Sequence, residues 1–305
     1  MKDRSQNFWA GFAFALLGAI CFSAKGIVVK LTYRYPGVDA VTIIGFRMML
    51  SAPFFLAVGW YQSRRAARGE IPRLTFTERW QLVVLGFVGY YLSSFLAFVG
   101  LETVSAGLER VVLYLSPTFV LLITAVVFKR PIARRQWVAL ALSYGGVVAV
   151  FLNDLSLVGD GVIVGALFVM ASALCYSVYL IGSGEIIKRV GATRLVAYAM
   201  SVSTVFTLIQ FFAIHGVQGL NQPLPVYQLS LLHATLNTVL PTFMIMWAVA
   251  RIGAPLTSQL GLIGPVSVVF LAALILGEPI TPLQILGTVL VLTGVIVLSR
   301  RRGLR

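Results

Sequence analysis

Stretches of about 20 mostly apolar residues, separated by short basic or Pro- and Gly-containing connectors, recur from one end of this chain to the other. A hydrocarbon layer about 30 Å thick is crossed by about 20 helical residues, and backbone there must satisfy its hydrogen bonds internally. The pattern predicts an all-α integral membrane protein. Composition agrees, since 59% of the 305 residues are hydrophobic and 11% charged, against about 25% charged in a typical soluble domain. Ten spans are expected, at about 8–31, 39–61, 80–101, 105–128, 134–152, 159–182, 193–214, 227–250, 254–276 and 282–299. The first runs on to about Leu31 without a small-residue cleavage site, so it is expected to be retained. The connectors are too short for a soluble domain, which confines any function to the membrane or its surface.

The net charge of +14 would suggest nucleic acid in a soluble protein, but its distribution gives another reading. Of 24 basic residues, 19 fall on one side of the ten-span scheme. They lie at the N-terminus, in the connector from Arg64 to Arg79, at Lys129 to Arg135, at Lys188 to Arg194, at Arg251 and in the tail 300–305. Lys30 and Arg34 lie on the other side. Cytoplasmic connectors carry the excess of Lys and Arg, so both termini are expected in the cytoplasm of a multi-pass protein of the cell inner (plasma) membrane.

The two halves repeat one another. Pro117 matches Pro265, Pro131 matches Pro279 and Gly146 matches Gly294, all at an offset of 148. "AICFS" (Ala19 to Ser23) matches "ALCYS" (Ala173 to Ser177) at 154, the difference being absorbed by the Arg-rich connector between spans 2 and 3. Each copy holds five spans, 8–152 and 159–299, followed by the basic cytoplasmic tail 300–305. An odd number of spans inserts the second copy from the opposite side, giving two inverted five-helix repeats, an arrangement typical of transporters with a midplane site.

Ten spans, two five-helix repeats, and in each a Pro-containing helix followed by a short polar turn ("GEPITPLQILGTVLVLTGVIVL", Gly277 to Leu298) resemble the drug/metabolite transporter superfamily, specifically its EamA-type members. In that family the turn after the penultimate helix of each repeat usually carries a Glu. Glu278 matches it, whereas Arg130 stands there in the first copy, so Glu278 is read as a helix-linker residue. The resemblance implies a secondary transporter that exports a small amino-acid-like or organic-acid metabolite by alternating access. A carrier of a larger anionic precursor, such as a nucleotide- or lipid-linked sugar, is the alternative within the fold.

Charges inside spans mark the candidate site, because an ionisable group at such depth costs roughly 2.5–3.5 kcal/mol and is retained where it faces the bundle interior or a wet cavity. Lys25, Arg47, Glu109 and Arg110 are expected at one depth, with Glu109 pairing with Lys25 or Arg47. Three cations against one anion leave a surplus that suggests an anionic or zwitterionic substrate, with Arg47 or Arg110 as a bidentate clamp. A network that only ties helices 1, 2 and 4 together is the competing reading. Helical spacing adds Tyr114 to the face of Arg110 and Pro117, pairs Tyr90 with Ser94, and aligns His233, Asn237 and Pro241. Tyr90, Ser94, Tyr114 and Asn237 join the substrate-binding set; Pro117 and Pro265 are hinge candidates.

Catalytic motifs are absent. Cys21 and Cys175 suggest core residues rather than a metal site, and no H-E-x-x-H, Gly-rich phosphate loop, Walker A or G-x-S-x-G sequence occurs. A membrane-embedded enzyme is the weaker alternative, and no cofactor or metal is expected. The expected partners are a small-molecule substrate and the lipid bilayer, with a homodimer possible and no nucleic acid.

Overall fold

A computed structural model describes residues 2–127, 129, 134–158, 161–252, 257, 260, 261 and 263–299. Arg130, Pro131 and the tail 300–305 lie outside the described residues, as does the side chain of Pro117. All regular structure among the described residues is helical. The first half contains α1 (Lys2–Ser23), α2 (Lys25–Thr32), α3 (Ala40–Ala67), α4 (Phe76–Gly86), α5 (Ser93–Leu101), α6 (Ala106–Leu113), α7 (Ser116–Val127) and α8 (Arg134–Val158). The second contains α9 (Val162–Val190), α10 (Ala192–His215), α11 (Leu224–Ala234), α12 (Leu240–Ile252), α13 (Ile263–Leu276) and α14 (Pro282–Ser299).

Among the described residues, seven segments are long and apolar enough to cross a membrane: Phe8–Thr32, Ala40–Ala67, Phe76–Leu101, Ala106–Val127, Arg134–Ser156, Val162–Gly184 and Ala192–His215. Ile263–Leu276 and Pro282–Val297 are shorter apolar helices. The expected span 227–250 corresponds to α11 and α12, joined through a π-helical turn into one rod over 224–252.

Side-chain caps fix several helix starts. Asp39 accepts from the Thr42 amide at 2.8 Å to open α3, and Ser105 accepts from Leu108 at 2.9 Å to open α6. Thr75 and Glu78 close a reciprocal capping box on α4. The reversal from α9 to α10 occupies a single residue, Gly191, whose φ of 82° lies where a Cβ is disfavoured.

The helix pairings come in sets related by exchange of the halves. α3 packs on α10 and α8 on α14, while α1 against α12 is matched by α9 against α5. Contact of α9 with α6 and α7 has its counterpart in that of α13 with α1 and α2. α8 and α14 run antiparallel: Arg135 donates to the Val297 carbonyl at one end, and Gly146 faces Gly287 and Val291 further along. A Cβ on Gly146 would lie 2.5 Å from the Gly287 carbonyl oxygen and one on Gly294 2.8 Å from that of Ala139. Only glycine permits this approach, which is how helices associate where lipid supplies no hydrophobic drive.

Candidate functional site

The helices that carry in-span charge are broken beside those charges. The first rod is interrupted at Ala24, next to Lys25, and the fourth at Tyr114 and Leu115, one turn beyond Arg110. Pro117 is the second residue of α7 and Pro265 the third of α13. Both prolines thus stand in a first helical turn, where the missing N–H costs least. The third rod, Phe76–Leu101, contains a π-helical segment, Phe87–Leu92, and the rod over 224–252 another, Thr235–Val239, starting 148 residues later. Each π-turn leaves the ordinary backbone ladder out of step, a feature common where helices build sites. Tyr90 and Asn237 lie on these two turns.

Lys25, Arg47, Glu109 and Arg110 are all buried, and they converge. Lys25 Nζ lies 3.5 Å from Glu109 Oε1, so of the two partners expected for Glu109 it is Lys25 that makes the pair. Two rings organise the cations. Phe98 of α5 lies under Lys25 at 6.0 Å and under Arg47 at 5.1 Å. Phe22 of α1 lies under Lys25 at 5.8 Å and under Arg110 at 5.6 Å. Arg110 also donates to Ser23 Oγ at 2.8 Å and stands over the Tyr114 ring at 5.2 Å. Rings within about 6 Å attract cations but accept no strong hydrogen bond.

Buried hydrogen-bonding atoms without partners collect around this cluster. Arg47 Nε and Arg110 Nε donate to nothing, and Glu109 Oε1 accepts no hydrogen bond beyond its ion-pair contact. Both ring nitrogens of His233 on α11 are also unpaired, although the residue is 1% exposed. The His233 ring packs 5.5 Å from that of Phe98, within electrostatic reach of Arg47 and Lys25. Among the described residues Arg47 makes no ion pair. Such orphans are rare, and several in one place point to groups that are satisfied by something other than the protein.

The remaining expected residues divide. Asn237 Nδ2 donates to the Cys21 carbonyl at 2.9 Å, next to the interruption of the first rod, and so lies beside the cluster. The Tyr114 hydroxyl donates to the Gly261 carbonyl at 2.5 Å, tying the break after α6 to the segment before α13. Tyr90 touches the cluster only through other tyrosines, since its hydroxyl lies 3.2 Å from that of Tyr179, which stacks on Tyr176, itself within electrostatic reach of Arg110 and Tyr114. Ser94 is half-buried and its neighbour Ser93 makes the interhelical bond, to the Ser172 carbonyl at 3.1 Å. At the 154 offset, Phe22, Ser23 and Lys25 correspond to Tyr176, Ser177 and Tyr179. Ser23 and Ser177 bond back to the carbonyls of Ala19 and Ala173 in the same way. The second half therefore presents tyrosines where the first presents charge. Phe98 gave no sequence signal, and Phe22 and Ser23 gave only that of the repeated motif they belong to; His233 gave one through its spacing from Asn237, without being placed in the site.

Glu278, the linker glutamate, accepts from the Ala106 amide at 3.2 Å and joins the turn before α14 to the start of α6. Burial is the main influence and pushes its carboxyl above the usual carboxylate range, against the pull of Ala106 and Lys30.

The sequence profile of the EamA-like transporter family matches this chain twice, over residues 9–152 and 163–300. Among relatives, the uncharacterized transporter YcbK of Bacillus subtilis (strain 168) is 29% identical over 292 residues, covering 94% of this chain and 91% of its own length. The uncharacterized transporter YyaM of the same organism is 24% identical, covering 85% of this chain and 92% of its own length. A solved crystal structure 16% identical in sequence superposes with a TM-score of 0.60 over 96% of both chains, which shows a shared fold.

Proposed function

The chain belongs to the EamA-like transporter family and is a multi-pass membrane transporter, and from that premise we propose that it exports a small organic anion or amino-acid-like zwitterion by alternating access. The observation that carries this reading is Arg47: a buried guanidinium with no carboxylate partner among the described residues, beside the unpaired nitrogens of His233. Lys25 and Glu109 neutralise one another, which leaves Arg47 and Arg110 as surplus charge in an apolar layer. Unpaired charge there is expensive unless a ligand supplies the counter-ion. A substrate carboxylate between the two guanidiniums would also satisfy the Nε atoms that now lack acceptors. Asn237 and Tyr114 sit where they would contact its remainder, and the Tyr90–Tyr179–Tyr176 group with Ser94 would line the route past the second half.

Antiparallel packing of the repeat-related helices α8 and α14 supports inverted copies, 8–152 and 159–299, with ten spans in all. The interruptions at Ala24 and at Tyr114 to Leu115, with Pro117 and Pro265 at the starts of α7 and α13, are the places where the halves would bend. Export, the inner (plasma) membrane and cytoplasmic termini follow from the family resemblance and the basic connectors.

The test is a panel of organic acids and amino acids scored by thermal stabilisation of the purified protein and by flux in proteoliposomes, with Arg47→Gln beside the parent. A carboxylate that stabilises the parent should lose roughly 10- to 150-fold in affinity for the variant, one charge-assisted hydrogen bond. The variant itself should fold at least as well. Undiminished flux of every transported carboxylate through Arg47→Gln would overturn the assignment.

A further inference from the structure

A second candidate site lies away from the charge cluster, at the bundle end that carries the Arg-rich connector. There the end of α3, the connector, the start of α4 and the start of α10 enclose a cavity of about 530 Å³. Its polar wall holds Arg73, Arg79 and Arg194; its apolar wall includes Leu82, Val83 and Val202. Arg194 is buried, at 5% exposure, and is held there by donating to the Pro72 carbonyl at 2.7 Å, while its Nε donates to nothing. Arg73 and Arg79 are exposed.

The acidic residues of this region are already engaged. Glu70 pairs with Arg65 at 2.9 Å and also meets Arg68. Glu78 is held by the Thr75 amide and by Arg189 at 2.7 Å. Among the described residues none of Arg73, Arg79 and Arg194 has a carboxylate within ion-pair distance. Exposed Trp60, Tyr61, Phe76 and Trp80 lie beside the cavity along the sequence, the residue types that settle at the level of lipid headgroups. A cavity at that level, with three guanidiniums that make no ion pair among the described residues on one wall and apolar side chains on the other, matches an amphiphile with an anionic head and a hydrocarbon tail.

We propose that this cavity binds one anionic phospholipid, its phosphate among Arg73, Arg79 and Arg194 and the start of its acyl chains against Leu82, Val83 and Val202. Arginine suits the head because its planar fork meets phosphate oxygens bidentately, and the half-buried setting strengthens each contact. The lipid would join the ends of α3, α4 and α10, elements of both halves, without entering the charge cluster.

The experiment uses the full chain, delipidated in a neutral detergent and titrated separately with dioctanoyl phosphatidylglycerol, dioctanoyl phosphatidylcholine and inorganic phosphate. Bound adducts are read by native mass spectrometry and melting temperature by intrinsic fluorescence. Phosphatidylglycerol should give one saturable adduct and raise the melting temperature, and the other two should do neither at the same concentration. The double variant Arg73→Gln/Arg79→Gln, altered only at exposed positions, should melt like the parent without lipid yet bind phosphatidylglycerol at least about tenfold more weakly. Arg194→Gln should weaken binding likewise. Parental affinity in the double variant, equal binding of phosphatidylcholine, or equal stabilisation by inorganic phosphate would each overturn the proposal.

Discussion

Replacing Lys25 by Met leaves the Glu109 carboxylate, 3.5 Å away and 2% exposed, without its counter-ion among the buried residues of α2 and α6. Breaking a buried pair from one side typically costs about 3–5 kcal/mol. Glu109→Gln alone strands the ammonium instead, at a comparable cost. With both changes made, nothing charged is left unpaired at this point, and replacing a buried pair by neutral groups is often close to neutral. The expected pattern is therefore two unstable single variants and a double variant near the parent, a coupling of several kcal/mol. Thermal unfolding of the four proteins in one detergent at pH 7 measures it, with flux in proteoliposomes alongside. The double variant should keep a substantial part of the flux, since Arg47 and Arg110 remain. Lys25→Met melting like the parent while flux collapses would refute the reasoning: Lys25 would then serve the cargo directly, and the Glu109 contact would carry no structural weight.

Further outcomes are expected elsewhere. Burial makes Glu278 hold its proton more tightly in the folded protein than in the unfolded chain, with Asp154 adding to the effect and Ala106 and Lys30 opposing it; stability should therefore fall as pH rises from the ordinary carboxylate range through the raised folded value, and Glu278→Gln should flatten that slope in melting temperature measured from pH 4 to 8. Gly146→Leu pushes a side chain into the Gly287 backbone, where even a Cβ would lie 2.5 Å from the carbonyl oxygen, and should lower the melting temperature markedly, whereas Gly145→Leu, where a Cβ meets nothing within 4 Å, should not. If the basic connectors are cytoplasmic, single cysteines near Gln218 should react with an impermeant thiol reagent on intact cells and cysteines between Arg64 and Arg79 should not; the reverse pattern would invert the orientation.

The family and the membrane setting were legible in the sequence because both depend on patterns along the chain. Apolar runs of crossing length dictate helices wherever water is excluded, and the repeated Pro, Gly and Ser positions survive as local constraints on how helices start, cross and bend. That Glu109 would pair with a buried cation could be anticipated from charge count and depth, but which of Lys25 and Arg47 it would take could not. Arg130, Pro131 and the tail 300–305 stay expectations of the sequence, since they lie outside the described residues.

What the sequence could not give is which faces turn toward one another. Tyr90 carries no mark in the sequence to say that it looks toward α9 and Tyr179 rather than toward Lys25, Arg47 and Glu109, and the bond from this rod to Ser172 is made by Ser93 rather than by the expected Ser94. The π-turns at Phe87–Leu92 and Thr235–Val239 rotate everything beyond them, and no simple 3.6-residue count anticipates that rotation. Phe98 and Phe22 are two phenylalanines among 20 in the chain, and only the packing of α5 and α1 sets them beneath three cations. His233 became part of the site for the same reason. Periodicity fixes where a side chain sits on its own helix, but its partners belong to helices tens to hundreds of residues away, and their rotation and crossing are settled only when all the rods pack together.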